Sequence, residues 1–227
     1  EYVPCNTGQN WSPENFNTDM LPEWQDLLVE TNSTLVEAFG IGFEGEKPEG
    51  TEEDGYWQLL WNSKEDAEAG WETWEGYDKT ADWAEANADI LACGSKADTF
   101  SFDAYVRRSR DGLGTFDLTA FSSEYQFCAY NEGQGVDELI SVIDDFEDWL
   151  VSDENSLDSP YTYVVLAPDY ETEEFDLAWG NFHQSKEMRE AGLANFLDTA
   201  PEIQEAFDKV LSCQEPNGFN SGQIPLI

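Results

Sequence analysis

The chain holds a single histidine in 227 residues, and His183 stands where a strand ought to end. Phe175 to His183 reads F-D-L-A-W-G-N-F-H. Alternate side chains of a strand share a face. Here Phe175, Leu177 and Trp179 keep one face apolar before it turns polar at Asn181 and His183. An apolar floor closed by a few convergent polar groups is the pattern of a small-molecule pocket mouth. His183 is therefore a candidate general base, because an unperturbed imidazole titrates near neutrality, and it could equally serve as an axial haem ligand. Asn181 and Gln184 are placed to orient it, while Trp179 and Tyr163 are placed to line the pocket. The competing explanation is a histidine that merely caps or hydrogen-bonds the end of a strand.

Other chemistries lack their residues. There is no G-x-S-x-G, P-loop, G-x-G-x-x-G or H-E-x-x-H, so serine-hydrolase, nucleotide and zincin sites have no signal. Zinc would need C-x₂-C or histidine partners, and no loop has the D-x-[DN]-x-[DN]-G spacing of a calcium hand, so no metal is expected. Carboxylates are too abundant for spacing to single out a glycosidase pair. Their excess is itself informative: 49 acidic against 10 basic residues leave a net charge of −39. Such a surface repels phosphate backbones and anionic lipid, which excludes nucleic acid and membrane insertion as partners and fits a salty, screened medium. With 40% hydrophobic residues and nine Trp, the chain is nonetheless rich enough to fold around a core.

The elements that must hold His183 occur twice. Ser63 to Trp74 reads S-K-E-D-A-E-A-G-W-E-T-W, and Ser185 to Phe196 reads S-K-E-M-R-E-A-G-L-A-N-F, at an offset of 122. Repeated periods govern how the rest of a sequence is read. Each copy predicts a helix start, with a capping Ser and carboxylates in the first turns where the helix dipole favours them. Ala67, Gly70, Trp71 and Trp74 keep helical spacing, and Gly70 and Gly192 predict close approach of another backbone. The four cysteines follow the same period: Cys5 corresponds to Cys128 and Cys93 to Cys213. Of three connectivities, Cys5–Cys93 with Cys128–Cys213 makes the halves alike. Four cysteines, and a first residue Glu1 rather than Met, suggest a processed, secreted or periplasmic protein.

Read in order, residues 1–12 predict a strand pinned by Cys5, Phe16–Val29 a helix, and Leu35–Phe43 a strand. A Gly- and Pro-punctuated turn at 44–55 precedes a strand at Tyr56–Trp61, the repeated helix and a helix over Asp82–Cys93. Phe100–Val106 alternates as a strand does. The join carries Arg107, Arg108 and Arg110 with Gly112 and Gly114, either an anion anchor or local neutralisation of acidic neighbours. The second half runs through a strand at Tyr125–Tyr130, a helix at Val136–Leu150, and strands at Tyr161–Leu166 and Phe175–His183. The repeated helix, a helix at Ile203–Leu211 and a closing segment from Phe219 to Ile227 complete it. Both halves, 1–110 and 111–227, thus read as β-α-β-β-α-β.

Two such units with a Trp-rich third strand feeding a helix, Trp57 to Trp74 and Trp179 to Phe196, resemble the dimeric α+β barrel superfamily. Its members include the NIPSNAP-like and antibiotic-biosynthesis-monooxygenase-like proteins. The resemblance implies an α+β fold of two tandem ferredoxin-like units that form an intrachain α+β barrel, with a ligand pocket between sheet and helices in each unit. It also implies cofactor-free monooxygenases or haem-dependent enzymes among the relatives. The residues themselves point first to a small-molecule-binding or accessory protein without a cofactor. An enzyme using His183 and an extracellular structural subunit that self-associates through its sheet edges are the alternatives.

Overall fold

The computed structural model describes residues 1–106, 116–157 and 160–226. The arginine cluster Arg107, Arg108 and Arg110, with Gly112 and Gly114, lies outside the described residues. The chain forms two compact units, one of Glu1–Ser101 with the residues from Asn220 onward, the other of Phe102–Phe219.

The first unit runs β1 (Tyr2–Thr7), α1 (Pro13–Asn15), a π-helical turn (Phe16–Met20), α2 (Leu21–Glu30), β2 (Glu37–Phe43) and β3 (Gly55–Leu60). It continues with α3 (Lys64–Glu75), α4 (Asp78–Asn87) and β4 (Leu91–Cys93). All pairings are antiparallel, and the strands lie in the order β4-β1-β3-β2. That order is the split β-α-β-β-α-β arrangement, in which two crossover helices cover one face of the sheet. Helix α2 keeps Leu21, Trp24 and Leu28 on one stripe, and these bury with Val3, Trp57 and Trp71 in the unit's core. Between β2 and β3 the chain turns around the Lys47 ammonium, which donates to Glu52 O, Glu53 O and Asp54 Oδ1 at 2.9–3.2 Å. Gly45 and Gly50 supply the left-handed φ values of +83° and +89° that this turn requires.

The second unit repeats the order with β6 (Phe121–Tyr130), α5 (Val136–Leu150), β7 (Tyr161–Pro168), β8 (Leu177–His183), α6 (Lys186–Thr199), α7 (Pro201–Val210) and β9 (Leu211–Cys213). Its strands lie β9-β6-β8-β7, and β5 (Phe102–Tyr105) adds antiparallel to the outer side of β7. Helix α5 buries Leu139, Val142, Ile143, Phe146 and Trp149 as its spacing predicts, leaving Asp144, Asp145 and Asp148 in solvent. A final strand, β10 (Asn217–Ile224), places Phe219 against Tyr125 in the second unit and Ile224 in the core of the first. The fold class is thus α+β, built from two ferredoxin-like units.

The fourth strands are where the sequence misleads. Phe100–Val106 alternates well, but the strands that complete the units are the three-residue Leu91–Cys93 and Leu211–Cys213. Asp82–Cys93 is accordingly not one helix: α4 stops at Asn87 and the chain turns into β4. Three residues are too few to show a period, and the cysteines mark the strands instead. Cys5 lies directly opposite Cys93, and Cys128 opposite Cys213, each pair joined by a disulfide with Cα atoms 4.0 Å apart.

Candidate functional site

Strand β8 turns Leu177, Trp179, Asn181 and His183 toward the helices, and β6 offers Glu124, Gln126 and Cys128 beside them. Between this face and α5, α6 and α7 lies a cavity of about 570 Å³. Phe146, Trp149, Trp179, Phe196 and Phe207 form its aromatic walls, and Glu124, Asn181, His183 and Arg189 its polar end. Tyr163, expected in the lining, sits behind it instead. It is 1% exposed, stacks on Trp179 with centroids 4.7 Å apart, and donates to Glu147 Oε1 at 2.6 Å. Gln184 turns away from the cavity, accepting from Asp117 N and donating to Asp117 O and Ala120 O.

His183 is buried at 7% exposure, with its ring 4.8 Å from that of Tyr161 and its Cε1 against the helix at Gly192. A Cβ at Gly192 would stand 3.0 Å from Cε1. What approaches the helix glycine is therefore a side chain and not the backbone expected from sequence. Nδ1 is enclosed without a hydrogen-bond partner among the described residues, so neither Asn181 nor Gln184 orients the ring. Burial, aided by the Arg189 guanidinium, pushes the imidazole down to about 4. At neutral pH it is uncharged and a weak base.

Asn181 is committed within the wall: Oδ1 accepts from Tyr161 Oη at 2.8 Å and from Trp179 Nε1 at 2.9 Å, while Nδ2 reaches Glu124 Oε1 at 3.5 Å. Arg189 pairs through Nε with Glu124 Oε2 at 3.3 Å and donates from Nη1 to Ser122 Oγ at 2.8 Å. Neither Glu124 nor Arg189 was picked out by sequence reasoning, yet both were traceable. Glu124 stands to Cys128 as Glu1 does to Cys5, and Arg189 replaces Ala67 in the repeated helix.

The first unit shows what the same position looks like when filled. Its cavity is only about 170 Å³. Trp61, which corresponds to His183, lies over Gly70, where a Cβ would stand 2.5 Å from its ring. Glu1 exchanges both backbone hydrogen bonds with Leu59, as the antiparallel ladder pairs Glu124 with Asn181. The Glu1 carboxylate accepts from Trp61 Nε1 at 2.8 Å and Trp71 Nε1 at 2.7 Å and pairs with Lys96. Burial pushes that carboxyl up, but Lys96 and Trp71 outweigh it and hold it below the ordinary value. Leu59 gives Trp57 Nε1 no acceptor where Asn181 serves Trp179, and that indole N–H is buried unpaired among the described residues.

Haem can be tested against this lining. A neutral imidazole suits an axial ligand, but haem also brings two propionates. Among the described residues Arg189 is the one cation of the wall and is already paired with Glu124, while Asp208 and Glu215 add negative charge. The residues present do not fit haem. Among the described residues no cluster of three metal-ligating side chains occurs.

No known family pattern matches the chain, and no curated protein matches it. Among solved structures it is similar to one titled as a presumed monooxygenase from Lactobacillus acidophilus NCFM. The likeness covers 99% of this chain and 94% of that one, at 10% identity and a TM-score of 0.48.

Proposed function

We propose that the protein binds a small, mostly apolar molecule in the aromatic-walled cavity of the second unit, without using His183 as a catalytic base. The observation that carries this reading is the contrast between the two units. Where Trp61 fills the cleft of the first, His183 leaves a cavity of about 570 Å³ in the second. A cavity of that size with a largely apolar lining surface suits a compact organic ligand. General-base catalysis works best when the base's pKa lies near the operating pH. An imidazole held at about 4 falls short of that, which favours binding over a cofactor-free monooxygenase role. Two disulfides support work in an oxidising compartment, secreted or periplasmic. No helix among the described residues is long and apolar enough to cross a membrane.

His183→Trp tests the reading by rebuilding the first unit's plug over Gly192. Titration with Nile red, a neutral solvatochromic dye, should give a saturable blue-shifted emission with the wild type. The variant should show none while melting at or above the wild-type temperature. Equal dye binding by a folded variant would sink the reading.

A further inference from the structure

The first unit carries an internal portrait of the second unit's ligand. Around Glu1, two indoles meet one carboxylate: Trp61 and Trp71 both donate ring N–H to Glu1 Oε2. In the second unit the carboxylate is kept as Glu124, at the matching place on the first strand, and it lines the cavity. Both indoles are gone. His183 stands for Trp61 and Leu193 for Trp71. Leu193 lines the cavity at its open side and is 55% exposed where Trp71 is 8%, so the shorter leucine does not fill what the indole filled. The helix glycine that makes room for the Trp61 ring is present in both, as Gly70 and Gly192. What is missing is a flat, bicyclic, N–H-bearing ring.

Building on the pocket reading above, we propose that the ligand is a neutral planar heteroaromatic of the indole type, its ring N–H donated to the Glu124 carboxylate. Glu124 lines the cavity with its side chain 19% exposed, and a carboxylate offers about four acceptor positions, so a ligand donor can reach it from the cavity side. Charge selects neutrality. The Arg189 guanidinium 3.3 Å from Glu124 disfavours a cation there, and the carboxylate disfavours an anion. Phe146, Trp149, Trp179 and Phe196 provide edges and faces for a flat ring, in the offset and edge-to-face geometries that aromatic pairs prefer.

The test compares indole, N-methylindole and naphthalene as competitors of Nile red on the full chain, with ligand-observed NMR as a second readout. A hydrogen bond to a charged group implies that indole binds roughly tenfold to a hundredfold tighter than N-methylindole or naphthalene. Glu124→Gln should narrow that preference. Leu193→Trp, on the open side of the cavity, should abolish indole binding by restoring the inward ring. Equal affinity for all three compounds would overturn N–H recognition while leaving the pocket standing. Failure of every probe, Nile red included, would overturn the pocket reading and this one together.

Discussion

The buried imidazole makes stability depend on pH in a way that one substitution isolates. In the unfolded chain His183 titrates near its ordinary 6.5, whereas in the fold burial and Arg189 hold it at about 4. Between these values the unfolded state binds more protons than the folded one, so stability falls as pH falls. The contribution is fully present above about pH 6.5 and is lost progressively down to about pH 4, below which it changes no further. A tenfold change in proton affinity corresponds to about 1.4 kcal/mol, so the full drop from 6.5 to about 4 is worth about 3 kcal/mol as an upper figure. The groups that face the ring are the Arg189 guanidinium, which opposes a second positive charge, and beyond it Glu124, which would soften the penalty.

The perturbation is His183→Gln, which removes the titration and keeps a polar side chain. Urea unfolding of both proteins from about pH 7 to about pH 4, at constant high salt, gives two stability curves. Carboxylate protonation will bend both, but it cancels in their difference. That difference should move against the wild type by about 1 kcal/mol per pH unit below 6.5 and flatten near 4. A difference that stays flat through this range would show that the imidazole protonates freely in the fold. The argument for a buried neutral ring would then fail, and the objection to His183 as a base would fail with it.

Four further outcomes follow from the same geometry. Peptide mapping without reduction should recover Cys5 with Cys93 and Cys128 with Cys213, and each bridge, closing 88 and 85 residues, should contribute about 2–4 kcal/mol; a Cys5–Cys128 peptide would contradict both. With a net charge of −39, the melting temperature should climb from low salt to seawater-like sodium chloride, and a flat response would count against carboxylate self-repulsion. Gly70→Ala should cost more than Gly192→Ala in thermal melts, because the new methyl meets the Trp61 ring at 2.5 Å but the His183 ring at 3.0 Å; the reverse ranking would contradict the two contacts. Trp71→Leu should destabilise by roughly 3 kcal/mol through lost burial, and it also removes a donor from the Glu1 carboxylate; urea unfolding that showed no loss would deny Trp71 its place in the core.

Much of the fold was legible because long elements carry long periods. Helix α5 could be read from Leu139, Val142, Ile143, Phe146 and Trp149, and the cysteines fell in the same places of both units. The short elements were not legible. A three-residue strand such as Leu211–Cys213 shows no alternation, whereas Phe100–Val106, which does alternate, was read as a strand of the first half and pairs with β7 of the second. At the site, Trp179, Asn181 and His183 were visible from strand alternation. Tyr163 and Gln184 were not separable from lining residues, because a strand's period gives the face but not the depth. Tyr163 shares the correct face and lies behind Trp179, while Gln184 falls one residue past the strand, where the period no longer applies.

Glu124 and Arg189 teach a different lesson. Among 49 acidic residues a single Glu has no prominence, and Arg189 sits in a helix turn where a basic residue looks solvated. They stand out only when the two units are laid over each other and the differences are read as one set. Leu59 against Asn181, Trp61 against His183, Ala67 against Arg189 and Trp71 against Leu193 all fall on the cavity wall or the helix above it. Each exchanges an apolar plug or small core residue for a polar or retracted one. That these four surround one carboxylate common to both units is the physical reason for proposing the binding site in the second. It is also why the first unit, filled by its own indoles, is the natural control for every experiment on the second.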